Sequence, residues 1–406
     1  MQRFSASWRL PIAGDPIRDG AVLVDDRGRI AAIGPGDRVP VPPDAVRIDL
    51  RNSVLLPGLV NTHTHLELTG FAGMVEADTF LEWILRVIAV KAARSDEAFF
   101  DAACEGIRRT WRSGVTTVAD TGSTGAVLEA LDHLGASGTY HHEVFGAHPD
   151  ECDAAMRGFS AQLDRLAGHA TGRARLGVSP HAPYTVSGPL YRAACELGRA
   201  HGVPTAVHVA EPPGESALLD DFTGVFADDF RRRGVPRPSD VPITPMAFMD
   251  RHGVLSSRTL CIHAIHVSEA DTELMARHGC AVSHCPRSNR FHHQADAPAA
   301  RYLERGLRMG LGTDSEISVA PPDLLAEARE ARRLAGWDAP TVLRLLTLGG
   351  AEAIERDGEC GSLEVGKLAD FAAVSVGETD DPIEAVLASS PDGVVGTWLA
   401  GRRVHG

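Results

Sequence analysis

The sequence predicts an α/β protein: a (β/α)8 TIM-like barrel with a small β-sandwich formed by the N- and C-terminal segments. Three observations predict it. Short apolar strands alternate with helical stretches from Pro57 to residue 357, a span of about 300 residues that suits eight βα units. The texture on either side is different, with short strands and turns over 1–56 and again over 358–406. Histidine and acidic residues fall at the ends of several of the alternating strands, where barrel enzymes carry their chemistry.

A chain of 406 residues is too long for one small core. Residues 57–357 are read as the barrel, and residues 1–56 and 358–406 as the sandwich. The formal charge of -14 argues against a nucleic-acid backbone or an anionic membrane surface as partner. No apolar run reaches the roughly 18 residues of a membrane span. The start, Met1-Gln2-Arg3-Phe4-Ser5-Ala6-Ser7-Trp8, lacks the apolar core of a secretory signal, so a cytoplasmic location is expected. The seven cysteines are scattered without a Cys-x-x-Cys and read as reduced, packed thiols. Lysine is scarce: only Lys91 and Lys367 occur.

Taken in order, Ala21–Asp26 and Arg29–Gly34 flank Arg27-Gly28 and read as a hairpin, and Pro40, Pro42 and Pro43 mark a loop. Leu59–Thr64 is the first barrel strand. Residues 95–112 form a helix capped by Ser95, with Ala98, Phe99, Ala102, Ala103, Ile107 and Trp111 on one face. Gly114 ends it, and Val115–Asp120 is a buried strand. Further strands are expected at 138–146, 174–180, 204–210, 258–264, 280–284 and 307–313, with helices at 150–167, 187–201, 268–278 and 322–335 among the segments between. Residues 212–242, with Pro212-Pro213-Gly214 and Arg231-Arg232-Arg233, read as a long connection of the kind that serves as lid or substrate loop. Beyond 357, Phe371–Val376 and the ending Val394–Val404 return to short strands.

The first strand leads through Pro57-Gly58 into His63-Thr64-His65. Residues i and i+2 of a strand share a side, so the two imidazoles can hold one metal ion. With 18 histidines, chance supplies roughly 0.8 His-x-His pairs, so the pair needs partners elsewhere. They exist. The fifth strand ends in His208, the sixth in His263 and the eighth in Asp314. Three neutral imidazoles and a carboxylate suit one divalent ion with a position open to water. Zn2+ is the first choice, and Fe2+ or Mn2+ accept the same donors.

These motifs resemble the amidohydrolase superfamily. The matching residues are His63-Thr64-His65 after Pro57-Gly58, His208-x-x-Glu211, His263, Ser283-His284-Cys285-Pro286-x-Ser288-Asn289 and Gly312-Thr313-Asp314. The likeness spans nearly the whole chain and is strongest to the deaminase and chlorohydrolase branch. His65-Leu66-Glu67-Leu68, Ser179–Thr185 and Cys285–Asn289 are similar to aminodeoxyfutalosine deaminases, which remove the 6-amino group of an adenine nucleoside on a menaquinone pathway. Binuclear members of the superfamily bridge two metals with a lysine on the fourth strand. Neither Lys91 nor Lys367 lies near 174–180, so one metal is expected.

The resemblance implies roles. His63, His65, His208 and Asp314 are the expected metal ligands, with Asp314 also taking the water's proton. His263 is expected to hydrogen-bond the attacking oxygen, and Glu211 to protonate a ring nitrogen, as non-ligand glutamates do in zinc nucleobase deaminases of another fold. His181, Arg287, Asn289, Glu67 and Trp83 are candidate substrate contacts. Arg287 would suit an acidic tail, Asn289 could instead hold its loop, Glu67 could be local structure and Trp83 could pack its helix. His266 would orient a neighbour. His284, His292 and His293 lie near the mouth, and His141, His142 and His148 read as loop or surface. The expected partner is a small-molecule nucleoside, and a homodimer is compatible with the chain. Competing readings are deamination of adenosine, S-adenosylhomocysteine, methylthioadenosine or guanine, dechlorination of an s-triazine, and an inactive barrel serving as an interaction protein.

Overall fold

The computed structural model describes residues 1–406. Four strands open the chain: β1 (Gln2–Arg9), β2 (Ile17–Val24), β3 (Ile30–Pro35) and β4 (Val46–Pro57). Eight follow: β5 (Leu59–Thr64), β6 (Val115–Gly122), β7 (Ser137–Val144), β8 (Ala174–Pro180), β9 (Thr205–Val209), β10 (Thr259–His263), β11 (Ala281–His284) and β12 (Arg308–Leu311). Three more, β13 (Phe371–Ser375), β14 (Val394–Leu399) and β15 (Arg402–His405), end it.

Strands β5 to β12 lie side by side in chain order, all parallel. The ring closes at the place where chemistry was expected. Thr64 bridges Asp314, and the backbone N–H groups of Thr313 and Asp314 both donate to the His63 carbonyl, at 3.1 and 3.0 Å. Gly312 is required there. A Cβ on it would sit 2.8 Å from the His63 Cβ and 2.9 Å from the Cys285 sulfur.

Strands β1–β4 and β13–β15 form one seven-stranded mixed sheet in the order β15-β14-β13-β4-β1-β2-β3. Alternation puts Phe4, Val22, Leu55, Phe371 and Trp398 into one cluster, with Phe4 edge-on to Phe371 and Trp398. Asp370 ties this sheet to the barrel. Its carboxylate accepts from the Arg173 guanidinium, just before β8, and from the Ala400 N–H, and its carbonyl accepts from Gly58.

The helix Asp96–Arg112 begins at Ser95, whose side chain accepts from the Ala98 N–H. Residues 212–242 differ from the expected open connection. They contain helices Pro213–Asp220 and Gly224–Arg233, whose Leu218, Phe226, Ala227 and Phe230 bury against Tyr184 and Ala182. Phe80, Leu81 and Ile84 of helix Phe80–Ala92 pack on the same cluster. The Pro-Gly start and the arginine run resemble a loop in sequence. The arginines instead occupy the last turn of a helix, where cations favour the C-terminal end.

Candidate metal and catalytic site

The C-terminal ends of the barrel strands are held by polar contacts between neighbours. Asn61 donates to the Thr313 hydroxyl and accepts from the Thr313 N–H. Thr62 and Ser283 share a hydrogen bond of 2.7 Å across the barrel interior. Asp120, at the end of β6, accepts from the Thr64 hydroxyl and the Leu66 N–H, both at 2.7 Å. The chain beyond His65 is thereby fixed, and the Thr121 hydroxyl lies 3.3 Å from His65 Nδ1.

On this scaffold His63, His65, His208, His263 and Asp314 converge. Ligand atoms of His63, His65 and Asp314 lie within 4.8 Å of one another, as do those of His63, His208 and His263. His63 Nε2 and His65 Nε2 are each 3.4 Å from Asp314 Oδ1. Ser288 donates to the other Asp314 oxygen at 2.5 Å, which leaves Oδ1 to the histidines. Burial pushes His63 down to about 3, lowers His65 and holds His208 well below the usual imidazole value, so all three rings are neutral. Burial alone would raise Asp314. The close approach of His63, with His65 and His263 nearby, outweighs it and holds the carboxylate well below its usual range. Both His63 nitrogens and His208 Nδ1 are buried without a hydrogen-bond partner. Buried lone pairs left in this way are costly, and a divalent cation is the partner this donor set fits.

Several of these residues adopt left-handed backbone. Ala210, His263, Ala264 and Asp314 have φ between 46° and 65°. Each costs about 1–2 kcal/mol for a side chain with a Cβ, and such positions gather at active sites. Here they turn the chain at the ends of β9, β10 and β12 so that His263, Glu211 and Asp314 face a common point.

Glu211 lies 3.5 Å from His263 Nε2. Burial, then the charges of Asp314 and Glu215, push its carboxyl well above the usual value. Glu215 is fully buried. It accepts from the Ala210 and Glu211 N–H groups and is raised by burial to about 8. The Asn289 amide oxygen lies 3.0 Å from His263 Nδ1 and accepts its proton, so the lone pair falls on Nε2. This contact with His263 is neither the substrate contact nor the loop support expected for Asn289.

The remaining predicted residues are placed as follows. His181, at the end of β8, donates from Nδ1 to Thr185 at 2.8 Å, and its ring lies 4.8 Å from that of His208. Arg287 turns elsewhere. Its backbone N–H donates to Glu327 at 2.9 Å, and its guanidinium reaches the same buried carboxyl at 3.6 Å and the Pro321 carbonyl at 3.4 Å. Glu67 is fully buried and bound by Lys91 at 2.5 Å and by Ser123 and Thr124 of the loop after β6. Trp83 packs at 4.4 Å on His292, which hydrogen-bonds Ser318. His266 approaches Gln294, and His284 is buried beside the site. His141 and His142 are not loop or surface residues. Both lie within β7 and are buried, His141 against the Asp120 carbonyl and His142 stacked on Phe159.

Three residues were missed in the sequence. Asp120 and Glu143 lie close to the C-terminal ends of β6 and β7, and the strand-end rule that found the histidines also reaches them. Glu215 carried no such signal, since its role depends on a helix that sequence reading took for loop.

The amidohydrolase family model matches residues 54–404. The chain belongs to the amidohydrolase family. Among relatives of this amidohydrolase is a 5-methylthioadenosine/S-adenosylhomocysteine deaminase of Desulforudis audaxviator, 30% identical over 376 residues, covering 90% of this chain and 82% of the relative. An aminodeoxyfutalosine deaminase of Deinococcus radiodurans is 30% identical over 348 residues, 82% of this chain and 81% of its own. The structure of an adenosine deaminase from Xanthomonas campestris with bound zinc superposes with a TM-score of 0.86 at 25% identity, covering 99% of this chain and 92% of that one.

Proposed function

We propose that this amidohydrolase is a mononuclear metal-dependent deaminase of an adenine-type nucleoside. The observation that carries the reading is Glu211, buried 3.5 Å from His263 Nε2 beside the three-histidine, one-aspartate cluster, where burial pushes its carboxyl well above the usual range. His63, His65, His208 and Asp314 would hold a divalent ion, which when bound would acidify a water from a pKa of about 15.7 toward about 7. Glu211 gives its proton to a ring nitrogen, which makes the adjacent amidine carbon electrophilic. Asp314 Oδ1 takes the water's proton, while Ser288 holds Oδ2. His263 Nε2 accepts a hydrogen bond from the attacking water, because Asn289 keeps the other ring proton on Nδ1. The proton on Asp314 would then pass to the amine, the C–N bond would break to release ammonia, and the proton left on the new C–OH oxygen would return to Glu211 as the carbonyl forms.

Within this class 6-amino-6-deoxyfutalosine is the first substrate to test, on the strength of the Ser179–Thr185 and Cys285–Asn289 signatures. Methylthioadenosine and S-adenosylhomocysteine form the second reading, supported by the names of relatives at 28–31% identity. An open cleft of about 690 Å3, lined by Ile88, Lys91, Phe145 and Thr185 among others, leaves room for a 5′ substituent. The test is ammonia release measured as kcat/KM over these three nucleosides, adenosine, guanine and an s-triazine. An adenine nucleoside should lead by at least about tenfold, which is about 1.4 kcal/mol in the barrier. Preference for guanine or the triazine would sink the reading.

A further inference from the structure

Helix Leu324–Ala335 turns Leu324, Leu325, Ala328 and Ala331 into the core, and Glu327 lies fully buried among them. A carboxyl on the apolar stripe of a helix is costly unless it is partnered. No step derived above uses it. Its partner is the short helix Pro286–Phe291, which follows β11 and carries Ser288 and Asn289. One Glu327 oxygen accepts the Arg287 N–H at 2.9 Å, and the Arg287 guanidinium stands 3.6 Å from the other oxygen.

The first N–H groups of a helix have no partner within it. Pro286 brings none, so Arg287 is the first to need one, and Glu327 supplies it from another helix. A carboxyl oxygen accepts this bond whether the group is charged or protonated, so the contact does not depend on ionisation. In front, the same turn is held by Ser288 on Asp314 and by Asn289 on His263. Those contacts end on groups of the site itself. A turn held by them alone would take its position from the groups it orients. Another link to helix Leu324–Ala335, Arg290 to Glu330 at 3.2 Å, is exposed at the arginine and shared with Arg333. Exposed pairs of this kind are weak. Glu327 is therefore the buried fixed point behind the turn.

We propose that Glu327 is a positioning residue: through the Arg287 N–H it holds Asn289 against His263 and so keeps the His263 lone pair on Nε2. The proposal rests on the deaminase reading above for what His263 does in the reaction. For how His263 is held, it rests on these contacts alone.

The test uses the zinc-loaded full chain with Glu327→Gln, which keeps shape and acceptor, and Glu327→Met, which fills the space without an acceptor. The first readout is magnetic resonance of the chain with isotope-labelled histidine. The Nδ1–H of His263 is the imidazole signal that Asn289→Ala removes. It should move upfield or vanish in Glu327→Met and stay in place in Glu327→Gln. The second readout is ammonia release. Glu327→Met should lower kcat about tenfold with KM within about threefold, and Glu327→Gln should stay within about threefold of the wild type in kcat. Added to Asn289→Ala, Glu327→Met should cost less than about threefold, because the contact it acts through is already gone. An unmoved signal in Glu327→Met overturns the proposal. So does a loss of kcat that is as large in the Asn289→Ala background as in the wild type. A signal lost in both Glu327 variants overturns it too, since charge rather than the acceptor would then hold the turn. Should Glu327→Met fail to fold, Glu327→Asp, which withdraws the acceptor by one methylene, is judged by the same criteria. No ammonia from any adenine nucleoside removes the functional reading, and the histidine signal still decides this inference.

Discussion

Replacing Asn289 with alanine tests how His263 works. The Asn289 amide oxygen accepts the Nδ1 proton at 3.0 Å, and His263 is 1% exposed, so water cannot stand in for the lost acceptor. Two outcomes are open to the ring. It can keep the proton on Nδ1 with no partner, at a cost of about 1–3 kcal/mol. Otherwise the proton moves to Nε2, which removes the lone pair directed at the attacking water. Either way the loss falls on the reaction step. At about 1.4 kcal/mol per factor of ten, kcat should drop about 10- to 100-fold. Metal content should stay at one equivalent, because the side-chain hydrogen bond of Asn289 goes to His263, which is not one of the four expected ligands. Asn289→Asp keeps an acceptor and should recover part of the rate. The assay is ammonia-release kinetics paired with metal analysis. A change in kcat below about threefold would refute the orienting role. Loss of metal in His263→Ala would refute the assignment at its root, since His263 would then join His63 and His208 as a ligand.

Glu211→Gln should retain its metal and lose about 10²- to 10⁴-fold in kcat, the usual worth of a general acid; comparable activity would end the proton-transfer assignment. Glu215 gives a pH signature in stability. Its folded pKa, about 8, exceeds the ordinary 4.5, so the folded chain holds the proton through that window. Stability is therefore full below about 4.5 and declines as pH rises through about 8. Glu143 titrates in the same window, so Glu215→Gln should flatten the decline of Tm between pH 5 and 8 without abolishing it; an unchanged slope would count against it. Asp370→Ala strands Arg173 and the Ala400 N–H between barrel and sheet, and denaturant unfolding should show a loss of about 3–5 kcal/mol. A loss below about 1 kcal/mol would mean that the link is solvated.

The barrel was legible because its strands are nearly continuous apolar runs separated by helices with clear apolar faces. Expected strands at 174–180 and 258–264 correspond to Ala174–Pro180 and Thr259–His263. Strand ends also exposed the histidines, since a barrel directs each of them to one mouth. What could not be read was partner choice. Arg287 was free to meet a ligand until the helix Leu324–Ala335 brought Glu327 beneath it. Lys91 carried no assignment because its partner, Glu67, is 24 residues away and buried. The helices within 213–233 were hidden for a related reason. Their apolar faces are short and gain meaning only from Tyr184 and Phe80, which come from distant segments.

The order of the terminal sheet has a consequence for how the protein is made. Strand β4 sits between β1 and β13, and its Val54, Leu55 and Leu56 are fully buried once Val374, Ala373 and Ala372 pair with them. During synthesis β4 emerges roughly 300 residues before β13, an interval on the order of 15–60 s at about 5–20 residues per second. Throughout that time an apolar strand edge directly upstream of His63 has no mate. The nascent chain therefore carries an open template for mispairing while the barrel is assembled beside it, and the ribosome releases that hazard only when β13 arrives.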